Sequence, residues 1–311
     1  MKFLITGGAG FIGGNLTRII LGQGHFVRIL DNFSSGRWEN ISGFDNEIEV
    51  IKGDICDYDT AIKCCKDIDY VVHLAAIASA PASVENPIGS SQVNIMGTLN
   101  MLEASRHNHV KRFIFSSSAA VYGEVRKMPI SEDYPLIPLS PYAASKIAGE
   151  YLCYNYHKLY KLNCICFRYF NVFGPNQNPD SDYAAVIPKF ITALLSDKAP
   201  TIFGDGEQTR DFIFVDDLSK IILLACSIDN ADYAIYNIGS GECITINELL
   251  NNLNQILGKT YKASYAECRP GDIRHSVADI NKLKKDFAFT PDYDLADGLK
   301  KTIENYSRNT S

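Results

Sequence analysis

The stretch FLITGGAGFIG, residues 3–13, decides the fold of this chain. Its apolar run Phe3–Ile5 is short enough to be a buried strand, and the glycines that follow have the spacing Gly8-x-Gly10-x-x-Gly13. Backbone without side chains lets a pyrophosphate reach the amide N–H groups at a helix N-terminus, and a glycine in the first turn lets that helix pack closely on a sheet. The stretch predicts a strand, a phosphate-binding turn and a helix. Since glycine spacing alone is a weak signal, neighbouring residues must support it.

Two aspartates at the ends of later apolar runs provide that support. Asp31 follows the run Phe26–Leu30 and lies 18 positions after Gly13, close to the spacing of a carboxylate that binds a ribose 2′-OH. A carboxylate there repels a 2′-phosphate, so the pattern favours NAD over NADP. Asp54 follows the run Ile48–Ile51 and is a candidate for the adenine edge, the alternative being an aspartate that caps a loop.

Short apolar runs alternate with amphipathic segments through the first half of the chain. The later runs are Tyr70–Leu74, Arg112–Phe115 and Asn163–Phe170. Segments such as Thr98–Arg106 and Ala143–Leu159 have helical periodicity. This alternation predicts an α/β fold, with a Rossmann-type doubly wound parallel sheet covered by helices on both faces.

The pattern changes in the second half. Residues 171–182 are rich in Asn, Pro, Asp and Gly and predict a long loop. Helical patterns follow at 184–196 and 215–227. Thr245, with Glu248 three positions on, has the spacing of a capping box and predicts the start of another helix.

A chain of 311 residues fits one large α/β domain or a nucleotide-binding domain with a smaller partner. We expect an NAD-binding domain over residues 1–172, with a return segment near 210–240. Residues 173–311 are expected to form mainly a smaller, mixed α/β substrate-binding domain.

Composition excludes several function classes. Hydrophobic residues are 46% and charged residues 21% of the chain, which is typical of a globular protein. With a formal net charge of -6 and no basic run, a nucleic-acid or anionic-membrane surface is not expected. The nine cysteines lack paired spacing, so reduced thiols are expected and no metal site is predicted. A strand beginning at Lys2 leaves no room for a signal peptide, and no apolar stretch approaches the ~20 residues that span a bilayer, so a cytoplasmic, soluble protein is expected.

Candidate catalytic residues lie near the start of a predicted helix. Tyr142 and Lys146 are four residues apart, which places both side chains on one helix face, and Pro141 suits a first helical turn. Ser116–Ser118 stands at the end of a predicted strand, where open parallel sheets bind ligands. Spacing alone leaves an ordinary helix face as the alternative.

Motifs along nearly the whole chain resemble the extended short-chain dehydrogenase/reductase family, and within it the UDP-hexose 4-epimerases, especially those acting on UDP-N-acetylhexosamines. Beside the glycine turn they are His73-Leu74-Ala75-Ala76, Ser116–Gly123, Tyr142-Ala143-Ala144-Ser145-Lys146, Arg168–Pro175, Thr209-Arg210-Asp211-Phe212 and Arg269-Pro270-Gly271-Asp272. The resemblance implies NAD-dependent inversion of C4 of a UDP-linked hexose: hydride leaves C4 to give a 4-keto sugar and returns to the opposite face. The chemistry belongs to the cofactor, and the protein supplies placement and charge.

The resemblance also implies roles for individual residues. Tyr142 would remove the proton of the sugar 4-OH; because its ordinary pKa is about 10, it needs the nearby Lys146 ammonium to favour the phenolate. Ser118 would hydrogen-bond the same sugar oxygen, with Ser117 as the weaker candidate for that role. The cofactor contacts implied are Gly7, Gly10, Phe11, Ile12, Gly13, Asp31, Asn32, Asp54, Ile55, Leu74, Ala75, Ala76, Asn94, Ser116, Tyr142, Lys146 and Tyr169.

Substrate contacts follow from the same resemblance. Besides Ser118 and Tyr142, the resemblance implies that Asn171 lies near the diphosphate and sugar and that Arg210 and Arg269 bind the diphosphate. It also implies that Asp272 binds the uridine ribose and that Ser276 lines the sugar pocket. Arginine suits phosphate because its planar fork can bond two oxygens. A bulky Tyr at the position of Ser276 restricts such enzymes to UDP-glucose and UDP-galactose, whereas a small residue leaves room for a 2-acetamido group.

The absence of certain acid/base residues reduces the number of reactions that the site can catalyse. Ala119-Ala120 stands where the resembling 4,6-dehydratases have Asp-Glu, and UDP-glucuronate decarboxylases have Glu at the place of Ala120, so neither reaction has its acid/base group. The segment 79–83 lacks an Arg that many N-acetylhexosamine epimerases carry near Ala82, so UDP-GlcNAc/UDP-GalNAc and UDP-Glc/UDP-Gal both stay open.

Other functional classes also stay open. They are another sugar-nucleotide enzyme of the family, such as a UDP-glucuronate epimerase or a reductase, and a non-catalytic nucleotide-sugar-binding protein. The resemblance implies a homodimer joined through helices around Thr98 and Ala148.

Overall fold

A computed structural model describes residues 1–179, 185–227, 233–268 and 273–309. The strands, in chain order, are β1 (Lys2–Thr6), β2 (Phe26–Asp31), β3 (Glu49–Lys52), β4 (Tyr70–His73), β5 (Arg112–Ser118), β6 (Cys164–Tyr169), β7 (Asn171–Phe173), β8 (Thr201–Phe203), β9 (Thr209–Arg210), β10 (Phe212–Phe214), β11 (Ala234–Ile238), β12 (Ile244–Thr245) and β13 (Ser264–Ala266). The α-helices are α1 (Phe11–Gly22), α2 (Tyr58–Cys64), α3 (Ala80–Glu85), α4 (Pro87–Ser91), α5 (Thr98–His107), α6 (Pro141–Tyr160), α7 (Val186–Leu195), α8 (Val215–Ser227), α9 (Ile246–Leu257), α10 (Asn281–Phe287) and α11 (Leu295–Asn309). A π-helical segment, Gln92–Gly97, leads into α5.

The chain divides into two compact units. The first unit contains residues 1–123, 135–169 and 219–237, and the second contains 124–134, 170–218 and 238–311. The domain limits expected from the sequence stay a prediction.

A seven-stranded sheet of the described residues, in the order β11-β6-β5-β4-β1-β2-β3, organises the first unit. The pairings from β6 through to β3 are parallel. The strand order reverses direction at β1, whose neighbours are β4 and β2, so the loops beyond the carboxyl ends of β1 and β4 diverge and leave a crevice. This is the predicted Rossmann-type α/β fold.

Near-continuous apolar strands explain why this sheet is buried on both faces. Leu4, Val71 and Phe113 of three neighbouring strands are fully buried in one hydrophobic core. Helix α6 lies directly on β5. The two elements are so close that a Cβ at Gly149 would lie only 2.2 Å from the Phe115 ring. This close approach brings the polar face of α6 to the carboxyl end of β5.

The second unit has its own core around short paired strands. Strand β7 is parallel to β10, β8 is parallel to β13, and β9 is antiparallel to β12. The rings of Phe173, Phe212 and Phe214 lie in this core, where Phe173 packs edge-on against the other two.

The expected loop over residues 171–182 is partly wrong. Its first three residues form β7, because Val172 and Phe173 pair with the apolar strand β10 and bury Phe173. Residues 180–184 lie outside the described residues.

The other expected elements of this half are present. The structure has α7 at Val186–Leu195 and α8 at Val215–Ser227. The capping box predicted at Thr245 is confirmed: the Thr245 side chain accepts from Glu248 N at 3.0 Å, and Thr245 N donates to the Glu248 carboxylate at 2.7 Å. Within the residues that the structure describes, every helix is too short or too polar to cross a membrane.

Candidate active site

A cavity of about 460 Å³ opens in the first unit beside the carboxyl ends of β1 and β4. Nearly all of the predicted cofactor-contacting residues line it: Gly7, Gly10, Phe11, Ile12, Gly13, Asp31, Asn32, Asp54, Ile55, Leu74, Ala75, Ala76, Ser116, Tyr142, Lys146 and Tyr169. Sequence reasoning did not single out a second group on the same wall: Ser34, Ser35, Gly36, Ile77, Ala78 and Val93. These residues lie within five positions of Asp31, Ala76 or Asn94 in the chain. Their closeness to those predicted residues was the sequence signal that could have identified them.

The start of α1 is built for an anion. Gly10 is the N-cap residue, no side chain caps the helix, and the first turn has no acidic residue. A Cβ at Gly13 would lie 2.4 Å from the Gly7 carbonyl oxygen, and one at Gly7 would lie 2.8 Å from Ala75 N. The glycines thus allow a turn that side chains would block, and they leave helix amides facing the cavity.

Asp31 is fixed at the mouth of this cavity. One of its carboxylate oxygens accepts from Ala9 N at 2.9 Å and the other from Phe33 N at 2.8 Å. Gly36 is required beside it, because a Cβ there would lie 2.8 Å from that carboxylate. The carboxylate therefore has a set orientation and retains lone pairs for ribose hydroxyls.

Asp54 lies on the same wall and accepts from Asn32 Nδ2 at 2.9 Å and from Cys56 N at 2.8 Å. These hydrogen bonds, led by that from Cys56, lower the pKa of the Asp54 carboxyl. Both cavity carboxylates are thus held by main-chain donors.

The residues fit NAD. The uncapped helix start suits a pyrophosphate, and the Asp31 carboxylate suits a ribose diol while repelling a 2′-phosphate. The Tyr142 and Lys146 side chains stand on the wall where a nicotinamide ribose would lie in such a fold.

Asn94 has a different setting from the other predicted cofactor residues. It is 3% exposed, its Oδ1 accepts from Ile77 N at 2.8 Å, and its Nδ2 donates to Ile77 O at 3.2 Å and Ser145 Oγ at 3.1 Å. It lies behind the cavity wall and ties the segment after β4 to α6. The cofactor contact of Asn94 stays a prediction.

The predicted catalytic residues meet where β5 ends and α6 begins. Ser140 caps α6 by accepting from Ala143 N at 3.1 Å, and Pro141 takes the first helical position. Burial raises the pKa of the Tyr142 phenol, and a hydrogen bond with Ser118 opposes this rise. Lys146 Nζ lies 5.7 Å from the centre of the Tyr142 ring.

Lys146 is almost fully buried, with 5% of its surface exposed. Its Nζ donates to the main-chain oxygen of Ser116 at 2.8 Å. Burial lowers its pKa to about 8, and the charge of Glu150 opposes this change. The side chain is therefore mainly an ammonium at neutral pH, held beside the phenol.

The structure separates the two serine candidates. Ser118 hydrogen-bonds Tyr142, whereas Ser117 is buried and donates to Glu150 Oε1 at 2.5 Å. The neighbouring Ser116 hydroxyl donates to Tyr169 Oη at 3.0 Å. Alternation along β5 explains why consecutive serines have different partners.

Of the predicted substrate residues, Ser118 and Tyr142 belong to the first unit, whereas Asn171, Arg210 and Ser276 belong to the second. Asn171 N donates to the main-chain oxygen of Asp211 at 3.0 Å, and Arg210 donates to the Thr209 oxygen at 2.9 Å. Ser276 is 8% exposed. Arg269 and Asp272 lie outside the described residues.

Asp211, which the sequence did not mark as functional, organises this part of the second unit. Its fully buried carboxylate accepts from Ser240 N at 2.7 Å, Gly241 N at 3.1 Å and Ala278 N at 3.0 Å. It links the segments that carry Arg210 and Ser276. Its place in the motif Thr209-Arg210-Asp211-Phe212 was the sequence signal for it.

Residues 3–239 match the model of the NAD dependent epimerase/dehydratase family. A UDP-glucose 4-epimerase of Mycolicibacterium smegmatis is 38% identical over 315 residues, covering all of both chains.

Two solved structures are similar over nearly the whole chain. The UDP-N-acetylglucosamine 4-epimerase from Methanobrevibacter ruminantium M1, in complex with UDP-N-acetylmuramic acid, is 42% identical with a TM-score of 0.95, covering 99% of this chain and 98% of that one. The UDP-glucose 4-epimerase of Thermotoga maritima with UDP-glucose is 36% identical with a TM-score of 0.95, covering both chains fully. With the dinucleotide cavity and the family match, they show that this chain belongs to the NAD dependent epimerase/dehydratase family and is an NAD-dependent UDP-sugar 4-epimerase, an isomerase.

Proposed function

We propose that this enzyme inverts C4 of UDP-hexoses, accepting UDP-GlcNAc/UDP-GalNAc as well as UDP-Glc/UDP-Gal, with Tyr142, Lys146 and Ser118 as catalytic residues. The observation that carries the proposal is the partly buried Tyr142 phenol on the cavity wall, which has the buried Lys146 ammonium and the Ser118 hydroxyl beside it. A binding protein has no need for such a proton-transfer group.

The proton chemistry follows from the charges around Tyr142. A buried phenol resists ionisation, but the Lys146 ammonium stabilises the phenolate electrostatically, and the bond with Ser118 acts in the same direction. Tyr142 would take the proton of the sugar 4-OH, and Ser118 would orient that oxygen. NAD, when bound, supplies the hydride acceptor and donor. Lys146 would also bond the nicotinamide ribose.

Ser276 supports the acceptance of N-acetylated sugars. Its short side chain is buried at the position where related enzymes line the sugar pocket. The 2-acetamido group is larger than a hydroxyl, so a small residue here leaves the room it needs. The related structure of an N-acetylglucosamine epimerase is in accord with this reading. Asn171, Arg210, Arg269 and Asp272 would hold the UDP moiety.

Product analysis tests the substrate class. Purified enzyme is incubated separately with UDP-Glc, UDP-GlcNAc and UDP-GlcA, and the 4-epimers are separated by chromatography. We expect UDP-Gal and UDP-GalNAc to form without net change in NADH absorbance. Turnover of UDP-GlcA alone, or turnover only with added reductant, would contradict the proposal.

The Tyr142→Phe variant tests the role of the phenol. We expect kcat to fall by about a thousandfold or more, since general acid–base groups contribute roughly that factor, while UDP-sugar binding stays nearly unchanged. Tyr160→Phe, at the exposed far end of the same helix, is the matched control and should keep full activity. Full activity of Tyr142→Phe would refute the catalytic assignment.

We also propose that the enzyme is a homodimer formed through α5 and α6. Helix α6 exposes apolar or aromatic side chains at Tyr151, Tyr154 and Leu159. Large exposed apolar side chains on one helix are typical of an interface. Its location in the cell stays a prediction.

A further inference from the structure

Each of the last three residues of β5 contacts a different turn of helix α6. The Ser116 carbonyl accepts from Lys146, and the Ser117 hydroxyl donates to Glu150, one helical turn further along. One turn before Lys146 is Tyr142, which bonds the third serine of the run. The catalytic face of the helix therefore continues into a buried carboxylate for which the proposed reaction has no use.

A second group holds that carboxylate from the next strand. Arg168 of β6 forms a fork with Glu150, with Nε to Oε1 at 2.9 Å and Nη2 to Oε2 at 2.7 Å. Both side chains are 3% exposed. Arg168 Nη1 also donates to Tyr122 Oη at 2.9 Å, and that hydroxyl donates to Asn237 Oδ1 at 2.6 Å. The carboxylate is thus bonded on both oxygens within a chain of buried polar groups.

The negative charge of Glu150 links this arrangement to Lys146, because it raises the pKa of the Lys146 ammonium. The titratable groups that face Lys146 and Glu150 include Tyr142 on their own helix, His73 on β4, and Cys166, Arg168 and Tyr169 on β6. Tyr233, just before β11, also faces Glu150, and its hydroxyl donates to the Glu150 main-chain oxygen at 3.2 Å. Helix α3 contributes the uncharged side chain of Ser83, and the π-helical segment before α5 contributes that of Asn94. His73 is neutral at physiological pH, because burial lowers its pKa to about 3. The Glu150 carboxylate is then an anion that is ion-paired with Arg168 and lies one helical turn from the buried Lys146 on α6.

We infer that Glu150, held by Arg168 and Ser117, is a positioning residue that keeps Lys146 charged and in place beside Tyr142. The inference rests on the proposed roles of Tyr142 and Lys146. Glu150 touches neither cofactor nor sugar in this scheme; it acts through the ammonium and through the register of α6 on β5.

The sign of its effect follows from the charges. Burial lowers the pKa of Lys146 and the Glu150 anion raises it again, so removing the anion lowers that pKa further. The ammonium is then lost at lower pH, and the phenolate of Tyr142 loses its support. Removing Arg168 has the opposite effect, because Lys146 then faces a carboxylate that no second cation neutralises.

The test compares pH profiles of the full-length, NAD-containing enzyme. Values of kcat and KM for UDP-glucose are measured from about pH 6 to about pH 10 for wild type, Glu150→Gln and Arg168→Met. For Glu150→Gln we expect the alkaline limb of kcat to move down by about one pH unit and kcat above it to fall about tenfold, with KM within about twofold. For Arg168→Met we expect the alkaline limb of kcat to move to higher pH. Glu49→Gln, which removes an exposed ion pair with Arg28 on the far edge of the sheet, is the control and should leave the profile unchanged.

A second measurement does not depend on turnover. Carbon-13 NMR of enzyme labelled at lysine Cε, with Lys146→Met as the blank, reports ionisation of the Lys146 ammonium, which should occur at lower pH in Glu150→Gln. If Glu150→Gln does not fold, Glu150→Asp and Arg168→Met carry the test, with the Asp variant expected to retain the wild-type limb at reduced kcat.

The outcomes are distinguishable. An unshifted pH profile and an unshifted Lys146 titration in Glu150→Gln, or a shift of the same sign in both charge variants, overturns the inference while leaving the proposed function intact. An active Tyr142→Phe overturns the proposed function itself.

Discussion

His73 shows how a residue that resembles a catalytic base can be structural. Its Nδ1 lies 2.8 Å from Thr6 Oγ1 and its Nε2 lies 3.0 Å from Thr98 Oγ1, and the ring is 1% exposed. Both ring nitrogens are therefore engaged between β1 and α5. The residue holds the end of β4, from which Leu74 and Ala75 reach the cofactor cavity.

This burial predicts a pH dependence of stability. The pKa of His73 falls from 6.5 to about 3 in the folded protein, so between these values the unfolded chain binds a proton that the folded protein does not. The free energy of unfolding should therefore decrease as pH falls from about 6.5, by roughly 5 kcal/mol in all at about 1.4 kcal/mol per pKa unit. Denaturant unfolding at a series of pH values measures this change in the free energy of unfolding. In His73→Gln this part of the slope should vanish, and an identical slope in the variant would contradict the prediction.

Ser276 carries a prediction about substrate choice. Replacing it with a bulky ring in Ser276→Tyr should remove the space for a 2-acetamido group, so kcat/KM for UDP-GlcNAc should fall at least tenfold relative to UDP-Glc. Ser276→Ala keeps the side chain small and should retain both activities. A Tyr variant with an unchanged ratio of the two substrates would show that Ser276 does not line the sugar pocket.

At the scale of elements, the contact of α6 with β5 determines how well the catalytic residues are placed. Gly149 allows this contact, since a methyl group there would meet the Phe115 ring. The same helix bears Tyr142 and Lys146 two and one turns earlier, so a shift of α6 would move both away from the serines of β5.

We therefore expect Gly149→Ala to lower the free energy of unfolding by about 2 kcal/mol, a typical cost of overpacking, and to reduce kcat. Adding Phe115→Leu, which shortens the opposing side chain, should recover part of both losses. Gly22→Ala at the end of α1, where nothing lies within 4 Å of the new methyl, is the matched control and should be neutral or slightly stabilising. Thermal and denaturant unfolding measure the difference, and equal effects of the two alanines would refute the packing argument.

At the scale of the whole molecule, the exposed aromatic face of α6 predicts the oligomeric state. Tyr151 is 64% exposed at the middle of this helix. Introducing a charge in Tyr151→Glu would bury a carboxylate in the proposed interface, so light scattering should report monomers at concentrations where wild type is dimeric. Tyr265→Glu, equally exposed on β13 of the second unit, should stay dimeric. A monomeric wild-type protein, or a dimer that survives Tyr151→Glu, contradicts the prediction.

Signals that act between chain neighbours were sufficient for much of the fold. The glycine turn after β1, the alternation of strands and helices and the Thr245 capping box depend on residues one to five positions apart. The positions of Tyr142 and Lys146 on one helix face follow from the same local geometry. For this reason the sheet and most residues on the wall of the dinucleotide cavity could be predicted from the sequence.

Contacts between residues far apart in the chain were decided only by tertiary structure. Strand β7 forms because β10 lies beside it, and Ser117 was separated from Ser118 by the carboxylate that α6 brings to it. The fork between Glu150 and Arg168 likewise joins a helix to a strand with no pattern that marks the pair. By itself, the sequence determined the order of the elements and the chemistry available at their ends. Which side chains meet depended on how helices and strands pack, because burial removes water and makes each polar group find a partner that chain spacing does not specify.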